Sequence, residues 1–311
     1  MDGYHARACG FGDAAAIAGL INVVAEAGGG RGGYLAAEVE DVLRNEVRDL
    51  AADTLAVAGP GGELAGVALV PLPPAGGDRV ELIGGVHPEH RGAGIGRALL
   101  AWQLERAAAR HREVASETPW SGQVIAGAGD ATAIRLFERS GFSVARHFLE
   151  MTAPTEPAPA VAAVPGLRIV PLRQEQTLQL YRAHAAAFQG LWGYQERTLE
   201  DWAALTVRSE AFRPELARVA MDGEAIAGYV LPYGEPGEDR LYIGQVGTAE
   251  AWRRRGVATA LLAEVMREAA RAGYTRAALD VDADNPADAA ATYAKAGFTP
   301  DHRVVVYRRS V

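Results

Sequence analysis

The phrase "RGAGIGRALLAWQL" beginning at Arg91 returns as "RRRGVATALLAEVM" beginning at Arg253. Each copy sets an arginine three residues before a glycine, then Gly or Ala two positions further, then an apolar run. The correspondence reaches beyond the phrase: Gly66 in "GELAGVAL" and Gly228 in "EAIAGYVL" stand 162 positions apart, as do Gly94 and Gly256. A period held over so long an interval marks an internal duplication, so the chain is expected to fold as two copies of one unit. Near the end of each copy, "LFERSGF" closes at Phe142 and "TYAKAGF" at Phe298, 156 positions apart, so the second copy is shorter by about one loop. A length of 311 residues suits two domains of ordinary size better than one.

The seam lies in "MTAPTEPAPAVAAVPG", between Glu150 and Leu167, which is rich in Pro and Ala and has neither a helical nor a strand period. It reads as an extended linker. The expected division is residues 1–150, a linker over 151–166, and residues 167–311. Both halves open with helical text, "AAAIAGLINVVAEA" in the first and "EQTLQLYRAHAAAF" followed by "LEDWAALTVRS" in the second. Short apolar runs split by Gly, Asp or Pro follow, "TLAVAGPGGELAGVALVPL" and "ARVAMDGEAIAGYVLPY", and these read as hairpins. A further strand, "RVELIGGV" or "RLYIGQVG", then runs into the arginine-glycine phrase and a helix. Leu262, Val265, Met266 and Ala269 recur at helical spacing, which predicts one buried face for that helix.

Charge and cysteine content narrow the function classes. A net charge of -8 argues against a general affinity for nucleic acid or an anionic membrane, because both require a basic surface. Cys9 is the single cysteine, so an intrachain disulfide and a thiolate metal cluster are both ruled out. The start "MDGYHARACGFGD" lacks a signal pattern, and no apolar run approaches the roughly 18 to 20 residues of a membrane span. The chain reads as cytoplasmic.

A Gly-rich turn between a strand and a helix presents unpaired backbone N–H groups at the positive end of the helix dipole, which makes an anion site with phosphate as the usual guest. Gly92, Gly94 and Gly96 in one copy, with Gly256 and Ala258 in the other, let an oxygen-rich group approach the main chain, and Arg91 and Arg253 add charge. Neither copy has the Gly-Lys-Ser/Thr of a nucleotide-binding P-loop. The full glycine spacing of a dinucleotide fold is also lacking.

"VHPEHRGAGIG" (Val86 to Gly96) and "VGTAEAWRRRGVA" (Val246 to Ala258) fit the Arg/Gln-x-x-Gly-x-Gly/Ala signature of the GNAT family of acyl-CoA-dependent N-acyltransferases, which this chain resembles once per half. The closing "NPADAAATYAKAGF" (Asn285 to Phe298) is similar to the family's second motif. The resemblance implies an α/β (α+β) fold of two tandem domains, each a mixed, mainly antiparallel sheet flanked by helices. It implies that acetyl-CoA, or another short acyl-CoA, is held by Val86, His87, Pro88, Arg91, Gly92, Ala93, Gly94, Ile95 and Gly96 in the first half. In the second half the corresponding residues are Val246, Gly247, Thr248, Arg253, Arg254, Arg255, Gly256, Val257, Ala258 and Thr259, together with Asn285. The turn would wrap the pyrophosphate, while the preceding strand ends would pair with the pantetheine arm.

The resemblance also gives Tyr293 the place of the acid that supplies a proton to the departing thiolate. Phe137 stands at the equivalent position of the first half and cannot donate a proton. Asn285 and Pro286 form an N-cap and first-turn pair where the first half has Gly129 and Asp130. The second half is therefore expected to be catalytic and the first to be degenerate, a division that resembles the mycothiol synthase branch. The resemblance places an acidic residue where Tyr242 stands. An amine attacks only when neutral, and the candidates to take its proton are Glu238, Asp239, or a water held by Gln245 and Tyr242. Glu81 is the corresponding candidate in the first half, and an ordinary strand carboxylate is the alternative.

"FQGLWGYQERTLEDW" (Phe188 to Trp202) lies where the family's acceptor pocket forms, so Trp192, Tyr194 and Trp202 either wall that pocket or pack within the core. His184, His302 and Cys9 have no partner pattern, and structural roles are expected. The expected reaction is direct attack by a small-molecule primary amine on acyl-CoA in a ternary complex, without a metal, by a monomer with pseudo-dimeric halves. An amino sugar, a modified antibiotic, a small thiol precursor such as a cysteinyl pseudo-disaccharide, and a peptide amine all remain open as acceptors. The rivals are a non-catalytic acyl-CoA sensor and an enzyme active in both halves.

Overall fold

The structure is a computed structural model that describes residues 3–30, 32–114, 116–158, 160, 163–234, 239–284 and 289–311. It divides into two compact units, residues 1–147 with 302–311 and residues 148–301. The first unit contains β1 (His5–Arg7), α1 (Ala14–Ala27), α2 (Ala36–Asn45), α3 (Leu50–Asp53), β2 (Thr54–Ala58), β3 (Leu64–Leu69), β4 (Arg79–Glu81) and β5 (Ile83–Val86). It continues through α4 (Ile95–Glu113), β6 (Ser121–Gly127) and α5 (Ala131–Arg139) into β7 (Ser143–Pro154). β1, β2, β3 and β5 pair in that order as an antiparallel sheet. One extended stretch changes partner midway: β4 pairs parallel with β6, and β5 turns to pair with β3.

The second unit contains β8 (Arg168–Pro171), α6 (Thr177–Phe188), α7 (Leu199–Leu205), β9 (Arg218–Asp222), β10 (Ala225–Tyr233) and β11 (Arg240–Thr248). α8 (Val257–Arg271), β12 (Arg276–Asp282), α9 (Ala289–Lys295) and β13 (Thr299–Ser310) complete the chain. β8 to β11 form an antiparallel run in chain order, and β12 joins β11 in parallel. The same partner change recurs, because β11 pairs with β12 at its start and with β10 over the rest.

Helix positions follow from the apolar periodicity. Leu262, Val265, Met266 and Ala269 are fully buried, and with Leu261 and Val257 they pack α8 onto Leu241, Ile243 and Val230 of the sheet. The opposite face of the same sheet carries α6, with His184 of that helix against Tyr229 of β10. Burying a Leu- or Val-sized side chain is worth about 1.5–3 kcal/mol, so this seam fixes the turn that precedes α8. Among the described residues no helix is long and apolar enough to cross a membrane.

The unit boundaries differ from those expected at residues 150 and 167. Residues 148–154 of β7, the last strand of the first copy, pair antiparallel with Asp282–Arg276 of β12 in the second unit. Residues 304–310 of β13, the last strand of the second copy, pair with 127–121 of β6 in the first. Each unit is thus completed by the strand that the other copy encodes. The expected linker is correspondingly shorter, since Met151–Pro154 belong to a strand whose backbone is committed to β12. A Pro-rich composition hid that pairing because Met151 and Ala153, the residues turned into the core, carry the only apolar alternation left.

Candidate active site

In the second unit β11 runs beside β12 only from Arg240 to Tyr242, paired with Arg276 to Ala278. Beyond Tyr242 the strands part, so one edge of β11 from Ile243 to Thr248 is open while the other stays bonded to β10. The register with β10 also slips there: Gln245 faces Leu231 and Ile243 faces Pro232, leaving Gly244 as a bulge. An open edge ahead of a helix N-terminus accepts an extended ligand as though it were another strand. Val246, Gly247 and Thr248 lie on that edge. Gly247 has a further reason to be glycine, because a Cβ there would come 2.2 Å from Cε1 of Tyr229.

The turn that follows keeps its geometry in both units. Gly94 and Gly256, the N-caps of α4 and α8, sit at φ of 84° and 82°, in the left-handed region. A Cβ at either would meet nothing within 4 Å, so the space over the turn is open and the backbone angle alone selects glycine. Ile95 and Gly96, and likewise Val257, Ala258 and Thr259, begin the helices, with their N–H groups toward the turn. Val86, His87 and Pro88 close β5 and open the short 3-10 turn before Arg91.

Charge separates the two turns. Arg91 is bound at 3.0 Å by Asp130, a buried carboxylate whose other oxygen caps α5 by accepting from Thr132 and Ala133 N–H. The first turn is therefore neutralised from within, beside Gly92 and Ala93. Arg253 instead donates to backbone carbonyls, those of Thr248 at 3.3 Å and Ala187 at 3.2 Å, and has no carboxylate partner among the described residues. Arg255 lies over the Trp252 ring at 5.1 Å. Arg254 is exposed, and among the described residues it is the only non-glycine at positive φ, 59°, where the first unit has Gly92.

A left-handed arginine stores strain of about 1–2 kcal/mol, and a strained cation at the mouth of an anion turn fits a ligand contact. Arg254→Gly should change unfolding free energy by less than about 1 kcal/mol, because relief of strain offsets the entropy gained by the unfolded chain. It should weaken acetyl-CoA by about 3- to 10-fold, the size of an exposed ion pair, when both are measured by denaturant melts and calorimetry. Equal affinity in the variant would remove Arg254 from the site.

Tyr293 lies on α9, half-buried against the core and edge-on to Phe298 at 6.4 Å. Burial pushes its phenol up to about 12, so it carries its proton throughout the neutral range. Phe137 packs between Phe142 and Tyr307, at 6.0 and 5.7 Å, as core. Among the acceptor-pocket candidates, Trp202 is 3% exposed and belongs to the core. Trp192 is half-buried beside Phe148 at 6.1 Å, and Tyr194 lies 6.0 Å from the His184 ring. Burial raises the Tyr194 phenol.

His184 is more specific than a lone packing histidine: its Nδ1 is 2.9 Å from the Tyr229 hydroxyl, and burial depresses it to about 4. It is neutral at pH 7 and unsuited to hold a proton there. The sequence reading gave His184 only a structural role and did not select Tyr229, because the two stand 45 positions apart and leave no spacing signal. Tyr242 and Gln245 share the face of β11 that bears Gly247. Asp239, one candidate for the amine proton, is exposed and paired with Arg276 at 3.1 Å at the far end of the strand. In the first unit Glu81 is engaged by Arg79 at 2.9 Å and by Gln123, the pattern of a strand carboxylate. Glu238, Asn285 and Pro286 lie outside the described residues.

Residues 177–298 match the Acetyltransferase (GNAT) family, and residues 51–144 match an Acetyltransferase (GNAT) domain. The chain is 30% identical over 272 residues to a mycothiol acetyltransferase of Tsukamurella paurometabola, covering 82% of this chain and 88% of that protein. Its structure is similar to that of a GCN5-related N-acetyltransferase from Sphaerobacter thermophilus, with a TM-score of 0.80, 30% identity, and coverage of 100% of this chain and 96% of that one. A tandem GNAT protein from the clavulanic acid biosynthesis pathway shares the fold, with a TM-score of 0.72, 18% identity, and coverage of 99% and 98%.

Proposed function

The chain belongs to the GNAT family of acetyltransferases, and from that premise we propose that its second unit transfers an acetyl group from acetyl-CoA to the primary amine of a small molecule by direct attack. One observation carries the assignment to this unit: the open edge of β11, an arginine turn whose Arg253 meets no carboxylate among the described residues, and a protonated tyrosine occur together here. In the first unit Asp130 occupies the arginine and phenylalanine replaces the tyrosine. The phosphates of acetyl-CoA would lie on the N–H groups of the turn at Arg253 to Gly256, with the thioester arm running back along Thr248 to Ile243. Six strand residues span about 20 Å, ample for such an arm.

The amine nitrogen attacks the thioester carbonyl, the C–N bond forms, and the C–S bond breaks. A thiol pKa near 8.5 lies well below a phenol at about 12, so Tyr293 does not give up its proton early. It donates a hydrogen bond to the sulfur as charge develops, and the proton passes late. The amine of a cysteinyl pseudo-disaccharide is the first acceptor to try, given the name of the relatives, and its α-amino group titrates near 8.

Calorimetric titration of acetyl-CoA tests the assignment. The expected isotherm has one tight site, abolished by Gly256→Val and kept by Gly94→Val, with any binding at the first turn at least tenfold weaker. Two sites of equal affinity, or a tight site lost at Gly94, would move the chemistry to the wrong unit.

A further inference from the structure

We propose that the Asp280 carboxylate takes the proton from the acceptor ammonium, with Tyr242 holding it in place, an assignment that rests on the acyl-transfer reading above. The Tyr242 hydroxyl donates to Asp280 Oδ2 at 3.0 Å. Tyr242 is the last residue of β11 paired with β12, opposite Ala278, and Asp280 stands two residues beyond that pair. The hydrogen bond therefore spans the point where the two strands begin to part. A coenzyme whose phosphates sit on the turn after Thr248 brings its acyl end to this inner end of the cleft.

Side-chain alternation puts the relevant groups on one face. Leu241, Ile243, Ala277, Leu279 and Val281 face the core under α8, which leaves Tyr242, Ala278, Asp280 and Asp282 on the other side of the sheet. Gln245 shares that side, and its Oε1 is buried with no hydrogen-bond partner among the described residues. An unmet buried acceptor is costly, and an amine N–H is the kind of group that would meet it.

Other charged groups lie on the neighbouring strands. Glu150 is the β7 residue facing Asp280 in the strand register and is paired with Arg240 at 2.8 Å. Asp301 has a carboxylate oxygen within 4.8 Å of one on Glu150, and Asp282 follows Asp280 on the same face.

One ammonium proton goes to Asp280, and the freed lone pair forms the C–N bond. The C–S bond breaks with its electron pair on sulfur, which receives the Tyr293 proton. The second nitrogen proton restores Tyr293, and Asp280 returns its proton to solvent.

The test is the pH dependence of kcat/KM for acetyl transfer from acetyl-CoA, with N-acetyl product measured by mass spectrometry from pH 6 to 9.5. The acceptor is the most active of S-methylcysteinamide, glucosamine and the cysteinyl pseudo-disaccharide. Asp280→Asn should lose about 10-fold at pH 7, with the deficit closing above the amine pKa near 8, where the nucleophile is already neutral. Tyr242→Phe should lose about 3-fold at pH 7, and Asp280→Glu should recover part of the Asp280→Asn loss, both with unchanged acetyl-CoA affinity. A bridge that only ties two strands would lower the melting temperature and leave the pH profile as in the wild type; that result, with transfer intact, overturns this proposal alone. Absence of transfer to every acceptor by wild-type protein that binds acetyl-CoA overturns the acyl-transfer reading and this proposal with it.

Discussion

Tyr293→Phe lowers kcat for acetyl transfer by about 10²- to 10³-fold and leaves the dissociation constant of acetyl-CoA within twofold. The expected size follows from what is removed: one donor aimed at an atom on which charge develops, with no change in ring volume. The deficit is constant between pH 6 and 9, because burial keeps the phenol near 12 and fully protonated across that interval. Steady-state kinetics at several pH values, beside calorimetry, checks each part. A loss confined to KM would place Tyr293 in binding, and a loss below threefold would leave the departing sulfur without its donor. The first copy has already made this substitution at Phe137, where the ring survives as packing against Phe142 and Tyr307.

The second large effect is on stability and lies in the first unit. Asp53, at the end of α3, is fully buried between two arginines of α4: it accepts from Arg106 Nε at 2.7 Å, from Arg110 Nε at 2.8 Å and from Arg110 Nη2. The Asp49 N–H adds a fourth donor at 3.0 Å, and Glu113 reaches both guanidinium groups from the outside. Burial alone would raise the Asp53 carboxyl, but the arginine hydrogen bonds outweigh it and hold the group below its ordinary value of 3.8. Asp53→Ala leaves two guanidinium groups without their shared counter-ion, and about 3–5 kcal/mol of the first unit's stability is expected to go with it.

The direction of the shift gives a pH signature. A carboxyl depressed in the folded state stabilises it fully above the unfolded value near 3.9, and this stabilisation is lost as pH falls through the lower folded value. Chemical denaturation at pH 7 and at successively lower pH should show wild type approaching the variant only in strong acid. A destabilisation under about 1 kcal/mol at pH 7 would mean that solvent compensates the arginines.

The duplication, the hairpins and the two turns were legible because each depends on local chemistry. A glycine at positive φ, a strand of period two and a helix with one apolar face are written in neighbouring residues, and Gly94 and Gly256 carry the same angle at the same place in the repeat. Asp280 was not legible, since it meets Tyr242 across 38 positions and shares its face only once the parallel register of β11 with β12 is known. The contrast between Arg91 and Arg253 was hidden for the same reason: Asp130 lies 39 residues from its arginine. Asp53 with Arg106 and Arg110 is a third pairing of this kind.

The destination of the last strand of each copy was the hardest to read. "SVARHFLEMTAP" and "TPDHRVVVYRRS" both describe a strand with an apolar side, and neither states which sheet edge it will join. That destination has a consequence for synthesis. The first unit lacks residues 302–311 until they have been made, so it cannot close while the ribosome is still translating the roughly 150 residues between. At about 5–20 residues per second the nascent first unit waits about 8 to 30 s with the edge of β6 bare, the interval in which an unpaired strand is most open to capture by a chaperone or by another nascent chain.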